Sequence, residues 1–311
     1  MKSPSTIDLL GIGISPVDFF VSIDTYPAPG RKINGIPGST LIAGGGPVPT
    51  ALCTFANMGG SASLITSIGD DHWGDFIRSE LDRFGVQHDH VVVRKRCSTA
   101  LASAWINIHT GERTIVLDMS PRMHIRPRDI HLSNLPRPKL VQVDGRHVEA
   151  DIKLARWARR MGARILLDIG SDRNPVDDIF PHIDFLVCAD EYAFARCKTR
   201  SIDTAVNKFK KMGIPEVVVT AGTKGSFGID VDGRTAYQKA YRVKAVDTTG
   251  AGDVYHGAFL YGVHWNWDLA TRMRFASAAA ALKCREPGAR AGIPTLRQTL
   301  NFMRKHRRYY A

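Results

Sequence analysis

The stretch DTTGAGDVYHGAF, residues 247–259, decides how the rest of the chain is interpreted. It begins with a carboxylate, passes through small residues and ends in an apolar run, which is the pattern of a turn that leads into a helix. The first N–H groups of a helix have no partner within it and lie at the positive end of its dipole. Gly250, Ala251 and Gly252 would leave those groups accessible, so we expect them to bind a phosphate.

Asp253 would stand at the start of that helix, beside the predicted phosphate site. Because like charges repel, phosphate binding does not explain a carboxylate there, whereas a general base that takes a proton from an attacking hydroxyl does. The reaction would be phosphoryl transfer to an alcohol, in which the protein positions groups and magnesium bridges the nucleotide phosphates. These residues also allow a second interpretation, in which Asp253 is a helix cap and the glycines only form the turn.

The composition is that of a globular protein with a surplus of positive charge. Of 311 residues, 44% are hydrophobic and 23% are charged, and the formal net charge is +12. Such a surplus favours either nucleic acid or an anionic small molecule as ligand. The basic residues are scattered apart from the run at 304–310, which we interpret as a solvated end, so we expect a small molecule and no nucleic acid.

The cysteine pattern and the search for targeting and membrane-spanning segments predict a cytoplasmic protein. The five cysteines are sparse and show no CxxC spacing, which argues against both a disulfide framework and a zinc site. We find neither the pattern of a signal peptide nor an apolar run of membrane-spanning length. We therefore expect no membrane partner.

The hydrophobic pattern predicts an α/β fold. Near-continuous apolar segments indicate buried parallel strands at 6–14, 64–68, 140–144, 164–168, 185–188 and 216–220. Helices are expected at 48–58, 73–85, 150–161, 202–212, 252–265, 268–284 and 295–306. Segments 226–231 and 240–246 are predicted as antiparallel strands near the edge of the sheet, and 89–118 as β hairpins that begin with VVVR.

These elements predict one domain over residues 1–311, a three-layer α/β/α sandwich with a mainly parallel central sheet. Two β-rich insertions, at about 18–43 and 95–118, would form a small β-sheet lid. We place this lid over the carboxyl ends of the parallel strands, because ligands bind there in open α/β sheets.

The motif DTTGAGD resembles the C-terminal signature of the ribokinase-like carbohydrate kinases, the PfkB family. The other motifs that resemble this family follow in its order along essentially the whole chain: GIGISPVD (11–18), AGGGPVPTA (43–51), VVVTAGTKGSF (217–227) and FASAAAALKCREPGARAGIP (275–294). The resemblance implies a ribokinase-like fold, ATP as the phosphoryl donor and a small sugar as the acceptor. It also implies that Asp253 is the catalytic base and that the amides of Gly250, Ala251 and Gly252 form the anion hole.

The same resemblance implies roles for residues elsewhere in the chain. Asp18 would bind sugar hydroxyls, with Gly44 and Gly45 of the double-glycine region as further substrate contacts. The residues that would bind the nucleotide are Thr220, Gly222, Gly225 and Ser277.

Two metal sites follow from the resemblance. Many family members bind a monovalent cation such as K⁺ beside the C-terminal signature, and Asp247 would contribute to that site here. Many also carry Asn-x-x-Glu ahead of a helix to organise water bound to Mg²⁺. In this chain the segment is CADEYAF (188–194), where Asp190 or Glu191 would take that role with an altered spacing.

Within the family, the C-terminal half is most similar to sulfofructose kinases, through DTTGAGDVYHGA and AALKCREPGARAGIP. An anionic ketose would need cationic side chains, and the candidates are Lys32 in the first lid insertion and Arg146 after a central strand. Both could instead serve surface solubility. Leu117 stands where sulfofructose kinases have a polar lid residue, so a neutral sugar or another anionic ketose is also compatible with the sequence.

Alternatives to a sugar kinase make different demands on the sequence. A nucleoside kinase would favour aromatic lid residues, for which Phe19 and Phe20 are available. A binding protein without activity would have lost the base or the glycines, and both are present. A nucleic-acid-binding protein would show a contiguous basic stripe. Finally, exposed edges of lid strands favour pairing, so we expect a homodimer formed through the lid.

Overall fold

A computed structural model describes residues 5–111, 113–171 and 175–306. Its strands are β1 (Thr6–Ile12), β2 (Val17–Ile23), β3 (Leu41–Gly44), β4 (Ala62–Gly69), β5 (Val86–Arg94), β6 (Leu101–Asn107), β7 (Arg113–Asp118), β8 (Arg137–Val143), β9 (Arg164–Ile169), β10 (Phe185–Ala189), β11 (Glu216–Thr220), β12 (Ser226–Ile229) and β13 (Thr235–Gln238). Its α-helices are α1 (Pro47–Asn57), α2 (His72–Arg83), α3 (Val148–Arg160), α4 (Asp190–Cys197), α5 (Ile202–Lys211), α6 (Ala251–His264), α7 (Leu269–Lys283) and α8 (Leu296–Lys305).

Nine strands form the larger sheet, in the order β13-β12-β11-β10-β9-β8-β1-β4-β5. Its neighbouring strands run parallel, except that β12 is antiparallel to both β11 and β13. The chain goes from β1 first to β4 and β5 on one side and later to β8 and β9 on the other. Strand order therefore reverses beside β1, and the crevice at such a reversal is the usual ligand site of an open α/β sheet.

Helices cover both faces of this sheet because side chains along each strand alternate between the faces. Val217 and Val219 of β11 pack on the side of α3, α4 and α5, whereas Val218 packs on the side of α1, α2, α6 and α7. Strands buried on both faces have continuous apolar sequences, which is why these segments could be identified. The three-layer α/β/α sandwich predicted from the sequence is confirmed.

Four strands form a second sheet, in the order β3-β2-β6-β7, which we call the small sheet. It contains one parallel pair, β2–β6, and two antiparallel pairs, β2–β3 and β6–β7. One face contributes Phe20, Ala43, Ala104 and Ile106 to a cluster that includes Ala289, in the loop after α7. The small sheet therefore packs against a loop that, as described below, adjoins the start of α6.

Two predictions of secondary structure are wrong, and one helix was missed. Residues 240–246 form no strand, because the N–H groups of Val246 and Asp247 donate to the Cys284 carbonyl at the end of α7, and the edge strand is β13 instead. The VVVR segment (91–94) belongs to no hairpin, since it ends β5 and pairs parallel with β4. Helix α4, which begins directly after β10, was not predicted.

None of the helices in the described part of the chain combines the length and apolar character needed to cross a membrane. Of the basic run at 304–310, residues 307–310 lie outside the described residues, as does Glu112 of the β6–β7 connection.

Candidate active site

Helix α6 begins at the predicted glycine-rich turn, and its N-cap is Gly250. Gly250 has a φ of 75°, in the left-handed region, and a Cβ there would lie 2.8 Å from the Ala289 carbonyl oxygen. Gly252 is exposed, and a Cβ there would meet no neighbouring group within 4 Å. The backbone conformation therefore requires glycine at position 250, whereas Gly252 leaves open space at the start of α6.

The three N–H groups predicted to form the anion hole are not equivalent. The N–H of Ala251 donates to the Thr248 carbonyl at 3.1 Å. Those of Gly250 and Gly252 donate to no backbone acceptor within the described ranges, and neither does the N–H of Asp253, which was not among the predicted groups. Free N–H groups at the positive end of a helix are suited to bind an anion.

Asp253 lies half-buried in the first turn of α6, close to two other side chains that can bind or transfer a proton. Its carboxylate and the side chains of Asp168 and His256 place one ligand atom each within 4.8 Å of one another. Burial raises the pKa of Asp253 above its ordinary value, against the opposing charges of Arg113, Arg290 and Lys283. A raised pKa makes this carboxylate a stronger base than a solvated aspartate.

The surroundings of His256 and Asp168 indicate which ring nitrogen of His256 carries a proton. His256 Nε2 lies 3.1 Å from the Val187 carbonyl oxygen, to which only a protonated nitrogen can donate. Its Nδ1 lies 3.3 Å from Asp168 Oδ2. Burial lowers the pKa of His256 and raises that of Asp168 well above its ordinary value. The contact with the Val187 carbonyl assigns a proton to Nε2 of His256, while Nδ1 has no hydrogen-bond partner among the described residues.

Asp18, on β2, lies against the glycine pair at the end of β3. A Cβ on Gly45 would come 2.3 Å from Asp18 Oδ2, so this approach is possible only for glycine. Burial raises the pKa of Asp18 to about 7, and Arg290 opposes this shift whereas Asp253 adds to it. The charge of Asp253 therefore acts on Asp18, so the predicted sugar ligand and the predicted base lie within electrostatic range of each other.

Arg290, in the loop after α7, was missed by the sequence analysis although it connects the two sides of this site. It is 1% exposed, and its Nη2 donates to the Gly45 carbonyl at 2.7 Å while Nη1 has no hydrogen-bond partner among the described residues. A Cβ on Gly44 would come 2.3 Å from that Nη1. Only the GARAGIP segment could have drawn attention to Arg290, because nothing in the sequence pairs it with residues 44 and 45.

The two predicted anion-binding cations differ in their surroundings. Arg146 follows β8 at the crevice beside β1, and its side chain is 23% exposed. Its backbone N–H donates to Asp144 Oδ1 at 3.1 Å, and its Nε lies 3.6 Å from Asp144 Oδ2. Lys32 is exposed in the segment between β2 and β3, with no hydrogen-bond or ion-pair partner in the described part of the chain. Arg146 is thus balanced by a carboxylate, whereas Lys32 is not.

The predicted nucleotide-binding residues lie on two elements. Thr220 ends β11 and its Oγ1 donates to the Cys188 carbonyl at 3.3 Å. Gly222 and Gly225 have positive φ angles of 53° and 96° and form the turn into β12, where Gly222 is exposed with open space around it. Ser277 lies in α7 and is 9% exposed. The turn therefore presents an open glycine at the carboxyl edge of the sheet, while Ser277 is nearly buried.

The predicted magnesium ligands stand apart from the carboxylates around Asp253. Asp190 and Glu191 begin α4, directly after β10, and Asp190 Oδ1 accepts the Glu191 N–H at 3.0 Å. One group of three potential metal ligands converges among the described residues, and it consists of Asp168, Asp253 and His256. Asp190 and Glu191 lie at the same edge of the sheet without belonging to that group.

Asp247 is held by the protein's own backbone. Its carboxylate accepts the N–H of Thr249 at 2.8 Å and that of Gly288 at 2.7 Å, and the residue is 7% exposed. Burial of this carboxyl raises its pKa, but the Lys283 charge and these two donors outweigh burial and the net shift is downward. Asp247 is therefore ionised and fixes the loop that leads into α6.

A further contact joins this loop to the small sheet. Arg113, the first residue of β7, donates from Nη1 to Thr248 Oγ1 at 3.4 Å. From the sequence, this residue was assigned only to the β hairpins predicted over 89–118. The small sheet thus reaches the loop before α6 through a cationic side chain.

Comparison of the sequence with known proteins identifies one matching family model and several relatives. The sequence matches the family model described as pfkB family carbohydrate kinase over residues 27–296. It is 25% identical over 303 residues to the ribokinase of Haemophilus influenzae, an alignment that covers 94% of this chain and 97% of that protein.

Two solved structures share the fold across nearly the whole chain. The Arabidopsis thaliana ribokinase complexed with ribose and ATP has a TM-score of 0.80 at 23% identity, with 96% of this chain and 99% of that chain covered. The adenosine kinase from Sinorhizobium meliloti has a TM-score of 0.82 at 20% identity, with the same coverage of 96% and 99%. At these identities the likeness establishes the fold alone.

Proposed function

The chain belongs to the pfkB family of carbohydrate kinases, and from this premise we propose how its site transfers phosphate and to which sugar. Its similarity to ribokinases over nearly its full length makes it a sugar kinase and an ATP-dependent phosphotransferase. Kinases of this group use ATP together with a divalent metal, typically Mg²⁺. We propose that the γ-phosphoryl group passes to a sugar hydroxyl at the start of α6.

The observation that carries this proposal is Asp253 beside the free N–H groups at the start of α6. Asp253 accepts the proton of the sugar hydroxyl while the hydroxyl oxygen bonds to the γ-phosphorus and the bond from that phosphorus to the ADP oxygen breaks. The N–H groups of Gly252 and Asp253 stabilise the charge on the transferring group, and the turn at Gly250 and Ala251 holds them in place.

Asp18 orients the sugar in this scheme. Its carboxylate, when ionised, accepts hydrogen bonds from two hydroxyls, which fixes the ring relative to Asp253. Gly44 and Gly45 support this role by allowing Arg290 and Asp18 to lie against the end of β3. The buried Arg290 supplies the positive charge that keeps two nearby carboxylates compatible.

The residues at the carboxyl edge of the sheet fit a nucleotide. Gly252 and Gly222 both leave open space where a Cβ would otherwise project. Thr220 ends β11, and Gly225 belongs to the turn that leads from β11 into β12. We propose that this edge, with Ser277 of α7, binds ATP. Asp190 and Glu191 would bind Mg²⁺ through water. When bound, Mg²⁺ would neutralise part of the negative charge of the nucleotide phosphates.

We propose an anionic ketose such as sulfofructose as the first candidate substrate. Lys32 supports this choice as an exposed cation without a partner among the described residues, and Arg146 supports it by its place at the crevice beside β1. A neutral sugar is the second candidate, because Asp144 balances the charge of Arg146 and Leu117 is an apolar residue of β7. The similarity to ribokinases favours this second candidate.

A nucleoside kinase is the less favoured alternative. The two aromatic residues that could stack on a base are both engaged in packing: Phe20 is 2% exposed and Phe19 contacts the Trp73 ring edge-on at 5.0 Å between ring centres. A nucleoside would therefore lack the aromatic surface that stacking requires.

We also propose that the small sheet acts as a lid and that two copies pair through it. All six residues of β7, an edge strand, are exposed, and Ile115, Val116 and Leu117 are 49%, 59% and 37% exposed. An apolar edge strand is a surface that another strand readily covers. The expected location in the cytoplasm stays a prediction.

The test of the substrate is ADP release with Mg-ATP across a panel of ribose, fructose, sulfofructose, fructose phosphates, 2-keto-3-deoxygluconate and adenosine. Selective turnover of an anionic ketose, lost on Lys32→Met and Arg146→Met, is the result expected for the first candidate. Turnover of ribose or fructose alone, unchanged in these variants, contradicts it and leaves the sugar kinase standing. No turnover of any sugar, with adenosine as the acceptor, contradicts both.

A further inference from the structure

Lys283, the last residue of α7, is a buried lysine for which the phosphotransfer scheme has no role. It is 0% exposed, which is unusual for a lysine unless its charge is compensated. Its Nζ donates to the Asp247 carbonyl at 2.9 Å and to the Glu286 carbonyl at 3.5 Å. These two carbonyls come from separate segments, the loop before α6 and the loop after α7, and both point at one positive charge.

The surroundings of this ammonium are those of a cation site. The Asp247 carboxylate is ionised, and the charge of Lys283 contributes to lowering its pKa. The carboxyl end of α7, where Lys283 stands, adds the negative end of the helix dipole. Burial lowers the pKa of Lys283, and the Asp247 and Asp253 carboxylates act in the opposite direction. Backbone carbonyls and a carboxylate are also the ligands that hard metal cations take.

The residues present do not fit an added monovalent cation at Asp247. Both oxygens of the Asp247 carboxylate already accept backbone N–H groups, from Thr249 and Gly288, and its carbonyl accepts the lysine. A K⁺ ion would have to displace a buried group of the same charge. The sequence resemblance places a monovalent cation here in many family members, so this chain differs from that pattern.

We propose that the Lys283 ammonium is a built-in replacement for the monovalent cation, and that this kinase works without K⁺. Lys283 is a positioning residue: it joins the loop before α6 to the loop after α7. Through Asp247 it fixes Thr249, the residue that precedes the Gly250–Gly252 turn. The covalent tether keeps the charge in place at every ionic composition, whereas a bound ion would depend on its concentration.

The first test compares the full-length enzyme in KCl, NaCl and tetramethylammonium chloride at equal ionic strength. ADP affinity, measured by calorimetry, and turnover are both expected to agree within about twofold across the three salts, because no ion has to bind. The inference rests on the proposed phosphotransfer, but ADP affinity needs no sugar. An incorrect sugar assignment therefore leaves this test intact. ADP affinity that is several-fold higher in KCl than in tetramethylammonium chloride overturns the proposal.

The second test removes the charge with Lys283→Met, which keeps an unbranched side chain. In tetramethylammonium chloride we expect ADP affinity and kcat to fall by about tenfold or more, because the carbonyls and Asp247 lose their cation. KCl or RbCl is expected to restore much of both, since an ion can then enter the space. A loss that no alkali ion restores overturns the proposal, because it marks Lys283 as a packing residue.

Lys153→Met is the matched control. Lys153 also donates to two backbone carbonyls, those of Pro127 at 2.6 Å and Ile130 at 3.0 Å, but it does so on α3, on the other side of the large sheet from α6. We expect this variant to bind ADP as the unmodified enzyme does, without any response to alkali ions. Should Lys283→Met fail to fold, the salt comparison on the unmodified enzyme decides the question alone.

Discussion

Around the start of α6 several functional side chains are buried and bonded, whereas the outer edge of the small sheet and the segment between β2 and β3 are exposed. Asp168, His256 and Asp247 are 3%, 4% and 7% exposed, and each has a partner that fixes its orientation. On the small sheet, all of β7 is exposed, as is Lys32 of the segment between β2 and β3.

This difference separates two tasks. The groups proposed to transfer phosphate rest on the packed interior of the large sheet, where small displacements are costly. Two of the groups proposed to bind the sugar, Asp18 and Lys32, belong to the small sheet and its β2–β3 connection, and the outer edge strand of this sheet, β7, is exposed. We therefore expect changes near α6 to act mainly on kcat and changes in the small sheet to act mainly on KM and assembly.

The largest effect is expected from Asp253→Asn. Removal of the base should lower kcat by about a thousandfold, while ATP affinity stays within about threefold because the N–H groups of α6 remain. Steady-state turnover and nucleotide titration measure the two quantities. Asp75→Asn, which changes an exposed acidic residue in the first turn of α2, is the control and should be fully active. Near-normal turnover of Asp253→Asn would contradict the assignment of Asp253 as the general base.

Gly250 and Gly252 are expected to be glycines for different reasons. The backbone conformation requires glycine at 250, whereas Gly252 leaves space for the ligand. Gly250→Ala forces a side chain into the left-handed region and toward the Ala289 carbonyl, so we expect the free energy of unfolding to fall by about 1–3 kcal/mol. Gly252→Ala has room within the protein, so the thermal midpoint should hold while ATP affinity falls by about tenfold through the loss of ligand space. Thermal unfolding and nucleotide titration on both variants test this, and equal loss of stability in both would contradict the distinction.

The pKa of Asp18 predicts a pH dependence. Its pKa is raised to about 7, so the carboxylate that binds the sugar is present above that pH and is lost as pH falls through it. We expect kcat/KM for the sugar to rise between pH 6 and pH 8 by about tenfold, as a combined titration of Asp18 and Asp253. Asp18→Asn should be less active at every pH and show a weaker rise. A pH profile as steep as that of the unmodified enzyme in this variant would contradict the assignment.

The same shift predicts an effect on stability. Because the folded state raises this pKa above its ordinary value, the protonated carboxyl stabilises the fold at low pH and this contribution is lost as pH rises through about 7. Asp18→Asn should therefore raise the thermal midpoint more at pH 8 than at pH 5. Asp24→Asn, an exposed aspartate just after β2, is the control and should shift neither midpoint.

The smallest effect on turnover is expected at the outer edge of the small sheet. Val116→Lys places a charge on β7 and should dissociate the proposed dimer, with a change of about twofold to fivefold in KM for the sugar. Sedimentation velocity measures the assembly. Val231→Lys changes an equally apolar residue, 69% exposed beyond β12 of the large sheet, and should leave assembly unchanged. A monomeric unmodified protein would remove the dimer from the account.

The sequence correctly predicted the features that depend on residues close together in the chain. The parallel strands were identified because both faces of each strand are covered, and the start of α6 because the glycine-rich turn and the aspartate are adjacent in sequence. It failed at 240–246, an alternating segment whose final N–H groups bond to the end of α7 instead of to a strand. Tertiary contacts override strand propensity at such edges.

The part of the site that could not be predicted depends on partners far apart in the chain. Arg290 bonds to Gly45 and approaches Gly44, and Lys283 bonds to the carbonyl of Asp247. A single sequence shows a lysine and an arginine in a basic chain and gives no reason to place either in the interior. Folding brings each of them to backbone carbonyls from distant segments, so the chemistry of these two residues becomes visible only in the structure.

The measurement that tests the central claim most directly is a single turnover with ATP labelled at the γ-phosphate, enzyme in excess, and the sugar selected from the panel. We predict that the label moves to a sugar hydroxyl in the unmodified enzyme, and that in Asp253→Asn it stays on ATP although the nucleotide is bound. Transfer at an unchanged rate in Asp253→Asn, or release of the label only as inorganic phosphate in the unmodified enzyme, would contradict the account.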